Sequence, residues 1–237
     1  MSEDKKKPNF KILPVKTDGE EKKDPNIPEP IPQGNFTMVM VAPTKSGKTV
    51  TICNLLYRAY KNHYDEVIYI SPTIDLDKTL SKNVKKDDDL VKISDKEDLK
   101  NIDHIIEELV ESQKQKGDER KKILVILDDM IGYFKKTKST LDDTPALSRH
   151  YSISFIIVTQ VFTALPPRLK KNAHYFLIFK IINKYDLEQI EKQIGCNFEN
   201  FEELYKEATK DKYNFLYLDN SEMKAYKNFE ELLWSKY

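Results

Sequence analysis

The chain has 237 residues, enough for one generous domain or one domain with appendages. Lysine plus arginine and aspartate plus glutamate both number 39, so the net charge is zero. That excludes a globally basic nucleic-acid binder, and any DNA contact must use a local patch. Hydrophobic residues make up 39% and charged residues 33%, which predicts a soluble, charge-rich surface, and no apolar run approaches a membrane span.

Residues 1–34 differ from the rest. Six of the eleven prolines lie here: Pro8, Pro14, Pro25, Pro28, Pro30 and Pro32. Charges alternate in sign, and Ile27-Pro-Glu-Pro-Ile-Pro32 resembles polyproline. The expectation is a disordered tail without a core of its own. Phe10, Ile12 and Leu13 form an apolar island in it that either docks on another subunit or stays idle. The opening Met1-Ser-Glu-Asp-Lys-Lys-Lys-Pro8 lacks the pattern of a signal peptide. Cys53 and Cys196 share no motif and read as reduced core thiols of an intracellular protein.

Phe36-Thr-Met-Val-Met-Val41 is an apolar run rich in strand formers, and the pattern predicts a helix over 50–60. Between them lie Ala42, Pro43, Thr44, Lys45, Ser46, Gly47, Lys48 and Thr49. This is the phosphate-loop pattern G-x-x-x-x-G-K-[ST] with its first glycine replaced by Ala42. Low side-chain bulk lets successive backbone N–H groups wrap phosphates, and the following helix aims its positive end at them. Lys48 reaches the β- and γ-phosphates in such a loop, and Thr49 places its hydroxyl on Mg²⁺. A chance match is the competing reading, and the strand before and helix after argue against it.

Glu66-Val-Ile-Tyr-Ile70 is a second strand, and residues 74–95, rich in lysine and aspartate, read as loop with room for one short helix. Leu99, Ile102, Ile105, Ile106, Leu109 and Val110 recur at three- and four-residue steps, an amphipathic helix packing on the sheet. Residues 113–122 read as a solvated connection. Ile123-Leu-Val-Ile-Leu127 suits a strand buried on both faces, and Asp128-Asp129 stands at its carboxyl end, where open α/β sheets bind ligands. Asp128 fits the Mg²⁺ shell through water, and Asp129 fits the role of accepting a proton from the attacking water or positioning it. Aspartates also cap turns, and that reading stays open for the pair.

Ser154-Phe-Ile-Ile-Val-Thr159, ended by Gln160, and Tyr175-Phe-Leu-Ile-Phe-Lys180 are further buried runs. Residues 186–193 and 199–208 read as helices, 214–218 as a strand and 229–234 as a short terminal helix. Strands alternating with helices predict an α/β fold with a mainly parallel sheet and flanking helices.

Four features stand together: the phosphate loop, the Leu127-Asp128-Asp129 pair, Ser148-Arg149-His150, and Ile157-Val-Thr-Gln160 followed by Leu165-Pro166. With them the chain resembles the genome-packaging ATPases of large eukaryotic DNA viruses and their virophages. That family includes the poxvirus packaging ATPase and belongs to the FtsK–HerA superfamily of P-loop NTPases. The resemblance runs from about residue 36 to about residue 229, with Phe201-Glu-Glu-Leu-Tyr205 and Tyr213-Asn-Phe-Leu-Tyr217 near its end. Its loop and acid pair are shared with many ATPases, and the Arg-His followed by Thr-Gln and Leu-Pro is the specific part.

The resemblance implies a RecA-like core, with the strand ending at Gln160 between the phosphate-loop strand and the acid strand. Gln160 then faces the γ-phosphate as a sensor. An amide there can donate to a phosphate and accept from a water, or simply cap its strand. The resemblance also implies ATP and Mg²⁺ as cofactors, double-stranded DNA as partner, a homo-oligomeric ring, and viral capsid or portal-like proteins. The place of action it implies is intracellular, the host cytoplasm or a viral factory, with association with the virion as a further option. Arg149 and Arg168 are the candidates for an arginine finger supplied in trans, and each also reads as an ordinary surface ion pair. Tyr133-Phe-Lys-Lys-Thr-Lys138 is a candidate DNA grip through phosphates, or a solvated basic loop, and Lys170-Lys171 is a second, weaker patch. His63, His104, His150 and His174 read as structural. Two departures from the pattern are Ala42, which restricts the loop if that position needs positive φ, and Asp129, where many relatives have the longer glutamate. A cellular-type translocase or helicase, and a nucleotide-binding switch with weak hydrolysis, are the alternative functions.

Overall fold

The computed structural model describes residues 23–76, 79, 90–134 and 139–237. Among the described residues the strands are β1 (Thr37–Val41), β2 (Glu66–Ile70), β3 (Leu90–Ile93), β4 (Ile123–Asp128), β5 (Ile153–Thr159), β6 (Tyr175–Phe179), β7 (Phe215–Asp219), β8 (Lys224–Lys227) and β9 (Glu231–Ser235). They form one sheet in the order β3-β2-β4-β5-β1-β6-β7-β8-β9. From β3 to β6 every pairing is parallel, and from β6 to β9 every pairing is antiparallel. β5 lies between β1 and β4, so Thr159 pairs with Val41 and Val158 with Asp128. That puts the phosphate loop, the acid pair and Gln160 on one edge.

The central strands are buried along their whole length. A parallel sheet covered on both faces leaves no solvent side, so their sequences run continuously apolar instead of alternating. Val39 and Val41 join one core with α2 (Lys96–Lys100), α3 (Ile102–Gln115), α4 (Thr140–Tyr151), α5 (Pro167–Asn172), α6 (Lys184–Gln193) and α7 (Phe201–Ala208). Met38 and Met40 join the other, with α1 (Lys48–Asn54) and the π-helical turn Leu55–Ala59 that continues it.

Five expectations are corrected by the packing. The first concerns the tail. Ile27 is 3% exposed and belongs to the core on the α1 side. The Pro32 carbonyl accepts from the Tyr60 hydroxyl, the Pro30 carbonyl from Tyr217, and the Gly34 carbonyl from Ser154. Residues 24–34 are therefore part of the body. A proline-rich strap offers carbonyls without needing partners for its missing N–H groups, which suits it to lie across buried hydroxyls. Residues 1–22, with the Phe10–Leu13 island, lie outside the described residues. Burying an isoleucine side chain is worth about 1.5–3 kcal/mol. A chain beginning at residue 35 should thus melt about 3 to 12 °C below one beginning at residue 23, at about 2–4 °C per kcal/mol for a domain of this size. Coincident melting curves would remove the strap from the core.

The second and third concern strands read as other structure. β3 falls within the stretch read as loop, and β9 replaces the terminal helix. Both are edge strands, and Glu231-Leu-Leu-Trp-Ser235 is held extended by its pairing with β8. Propensity gives way to pairing and burial in such segments. The fourth is Gln113, which is buried and not part of a solvated connection. Its amide nitrogen donates to the Lys121 and Tyr151 carbonyls, tying the end of α3 to the end of α4. The fifth is Cys196, which is exposed while Cys53 is buried.

Candidate active site

β1 ends at Val41 and the chain turns out of the sheet. The Ala42 N–H donates to the Thr159 carbonyl at 2.8 Å, so this residue still follows the strand and its methyl is buried. The loop's left-handed residues are Lys45 (φ 63°) and Gly47 (φ 107°), not Ala42. The expected restriction at Ala42 does not arise. Gly47 is the position that needs glycine, because of its φ; a Cβ there would meet the Tyr213 ring only in ordinary contact, at 3.4 Å. Thr51 N–H closes the first helical bond to the Gly47 carbonyl at 3.0 Å.

Lys48 opens α1 and its ammonium meets both acids, at 2.9 Å from Asp128 Oδ1 and 2.8 Å from Asp129 Oδ2. The Tyr69 hydroxyl at the end of β2 donates to Asp128 Oδ2 at 3.0 Å. Gln160 Nε2 donates to Asp129 Oδ2 at 2.9 Å, and Gln160 Oε1 accepts from the Thr44 hydroxyl at 2.9 Å. One network thus joins the ends of β1, β2, β4 and β5. Burial pulls against the charge on Lys48, and the two carboxylates outweigh it, so its pKa is raised. Burial pushes the Asp128 carboxyl up, against the pull of Lys48. Asp129 sits past the strand with φ 56°, a left-handed conformation in which aspartate is several-fold enriched.

The residues fit a nucleotide phosphate and a divalent cation. Ser46 Oγ is buried with no hydrogen-bond partner inside the loop, and Lys48, Asp128, Asp129 and the loop hydroxyls converge on one edge. Phosphates taking over the Lys48 ammonium would release both carboxylates for a cation and a water.

Arg149 is not at this edge. It lies in the last turn of α4, toward the amino ends of the strands. There it borders a cavity of about 420 Å³ with Asp142, Arg168, Lys171, His174 and Asn220. His174 Nδ1 accepts the Thr37 N–H at 2.9 Å, which fixes that ring to the start of β1. Arg168 pairs with Asp143 Oδ1 at 3.0 Å. Two basic-patch expectations change. Lys170 is buried with its ammonium 5.0 Å from the Phe162 ring centre, and Phe134 belongs to the core, so neither faces DNA. Residues 135–138 of the grip lie outside the described residues.

Sequence reasoning missed Tyr69, Asp103 and Tyr213. Asp103 on α3 is buried, and its Oδ1 accepts from the Ser139 hydroxyl and from the Thr140 N–H and hydroxyl, which anchors the start of α4. A lone aspartate on an amphipathic helix carries no signal of this role.

A strand, phosphate loop and helix, with an acid-bearing strand two places away in a parallel sheet, define a P-loop nucleoside triphosphatase. The family model of the Poxvirus A32 protein matches residues 29–225, and the chain belongs to that family. No curated protein matches the chain. Among solved structures the chain is similar to B204, the DNA-packaging ATPase from Sulfolobus Turreted Icosahedral Virus. The TM-score is 0.63 at 22% identity, over 81% of this chain and 96% of that one. It is also similar to the genome packaging NTPase B204 of Sulfolobus turreted icosahedral virus 2 in complex with ATP-gammaS, with TM-score 0.60 and 22% identity over 81% and 95%. A third is the pCW3 conjugation coupling protein TcpA with ATPgS, with TM-score 0.59 and 14% identity over 83% of this chain and 60% of that one. At these identities the likeness is one of fold.

Proposed function

We propose that this chain is the Mg²⁺-dependent ATPase subunit of a ring that drives double-stranded DNA into a viral capsid. The observation that carries the reading is the Lys48–Asp128–Asp129–Gln160 network at the strand ends of an A32-family chain. The packaging role named for the B204 structures supports it. ATP with Mg²⁺ supplies the transferable phosphoryl group and its charge neutralisation. Lys48 binds the β/γ-phosphates, and Asp128, oriented by Tyr69, holds the cation's water shell. Asp129 takes or positions the proton of the attacking water, and Gln160, bridging Asp129 and Thr44, reports the γ-phosphate to the sheet edge. In this reading Arg149 serves the neighbouring subunit's site, and the ring acts with capsid or portal-like proteins in the host cytoplasm, a viral factory or the virion.

The engagement of Asp129 by both Lys48 and Gln160 also supports a second reading. A chain that keeps these contacts binds nucleotide without turning it over, as a switch. Phosphate release with and without duplex DNA separates the two. The motor hydrolyses ATP and is stimulated by DNA; the switch shows neither.

The two acids should separate in the same assay. Asp128→Asn should weaken Mg·ATP binding, while Asp129→Asn should hold Mg·ATP and lose turnover by about 10²- to 10⁴-fold. Equal loss of Mg·ATP affinity in both variants would count against divided roles.

A further inference from the structure

The network above uses only one side of the phosphate loop. Asp128 ends β4, and Asp129 and Gln160 follow β4 and β5, all to one side of β1. On the other side stand β6 and the antiparallel β7, whose amino end opens at the same edge as the loop. Tyr213 precedes β7 there. Its Cδ1, Cβ and Cγ lie 3.4 to 3.7 Å from where a Cβ on Gly47 would be. It is nevertheless 57% exposed. Its backbone is held at φ 73°, a conformation that bulky residues rarely adopt. The Lys212 ammonium lies over the ring, 4.7 Å from its centre, and a base stacking on that face would displace it. Ile182, three residues past β6 at the same edge, is 90% exposed.

An exposed aromatic held against the phosphate loop in a strained backbone calls for a ligand. A nucleotide has a direction. A nucleotide with its γ-phosphate at Lys48, Asp129 and Gln160, on the β5 side of the loop, would direct its nucleoside end toward the opposite, β6 side. That is the side of Gly47 and Tyr213. We propose that Tyr213 is the stacking platform for the nucleobase of the bound triphosphate. Every base has a π-face, so the platform recognises a flat heterocycle and favours the larger purine. The inference rests on the nucleotide-binding reading above and adds to it the residue that distinguishes a nucleotide from a bare polyphosphate.

Calorimetric titration of the full chain with ATP and with inorganic tripolyphosphate tests it. Wild type should bind ATP more tightly than tripolyphosphate. Tyr213→Asn removes the ring but tolerates the left-handed backbone. It should weaken ATP on the order of tenfold and leave tripolyphosphate unchanged, while Tyr213→Phe should match wild type. Unaltered ATP affinity in Tyr213→Asn overturns the proposal. Parallel weakening of ATP and tripolyphosphate also overturns it, because the ring would then act by supporting Gly47. Wild type binding both ligands equally removes the base platform but keeps the phosphate site. Wild type binding neither removes the nucleotide reading itself, and the platform with it.

Discussion

Replacing Arg149 with alanine is expected to lower ATP turnover by about 10³- to 10⁵-fold while leaving ATP affinity and the melting temperature close to wild type. The reason is geometric. Within one chain Arg149 stands toward the amino ends of the strands, near His174 and the start of β1, and the phosphate loop is at their carboxyl ends. It cannot serve its own loop. On the flank it shares with Arg168 it is exposed, which suits a group that reaches another subunit. Arg168 is held by Asp143, and so it is the weaker candidate. Mixing an Arg149→Ala subunit, which keeps its loop, with a Lys48→Ala subunit, which keeps its arginine, should restore part of the activity. Specific activity of wild type should also rise with protein concentration. No complementation and a concentration-independent rate would mean that the site is complete in one chain.

Lys48→Ala should lower turnover by at least about 10²- to 10³-fold, the loss typical of one electrostatic stabiliser of the transition state. It should also change stability with a recognisable pH dependence. Lys48 is the cation beside both Asp128 and Asp129. Without it a buried carboxylate keeps only its Tyr69 donor, at a cost of about 1–3 kcal/mol at neutral pH. Burial already raises the Asp128 pKa in the folded state. A carboxyl whose folded pKa is raised binds more protons folded than unfolded, so it destabilises once pH rises through that window. The variant's deficit should therefore shrink as pH falls toward the ordinary carboxylate range. Urea melts at neutral and acid pH read this directly. A deficit independent of pH would show that the carboxylates do not feel the loss of the ammonium.

The candidate site was legible because its signals are local. The residues from Ala42 to Thr49 form a phosphate loop through their own backbone, and five aliphatics before two aspartates mark a buried strand with acids at its end. These features need no knowledge of distant neighbours. Continuous apolar runs such as Ile123–Leu127 likewise announce a sheet covered on both faces, and the recurrence of Ile102, Ile106 and Val110 announces the helix that covers it. That Ala42 needs no positive φ was not legible, because only the backbone shows that Lys45 and Gly47 take the left-handed positions.

What the sequence by itself determined is the P-loop class, the parallel core and the candidacy of Lys48, Asp128 and Asp129, all written in short-range patterns of burial and backbone freedom. Tertiary structure alone decided that Ile27 and the proline-rich strap close one face, that β3 and β9 are edge strands, that Tyr69 orients Asp128, and that Tyr213 lies against Gly47. The strap, the Tyr69–Asp128 bond and the Tyr213–Gly47 contact join residues far apart in the chain, and the two edge strands exist through their pairing with β2 and β8. Their contacts depend on where the sheet brings them, and no periodicity or composition encodes that placement.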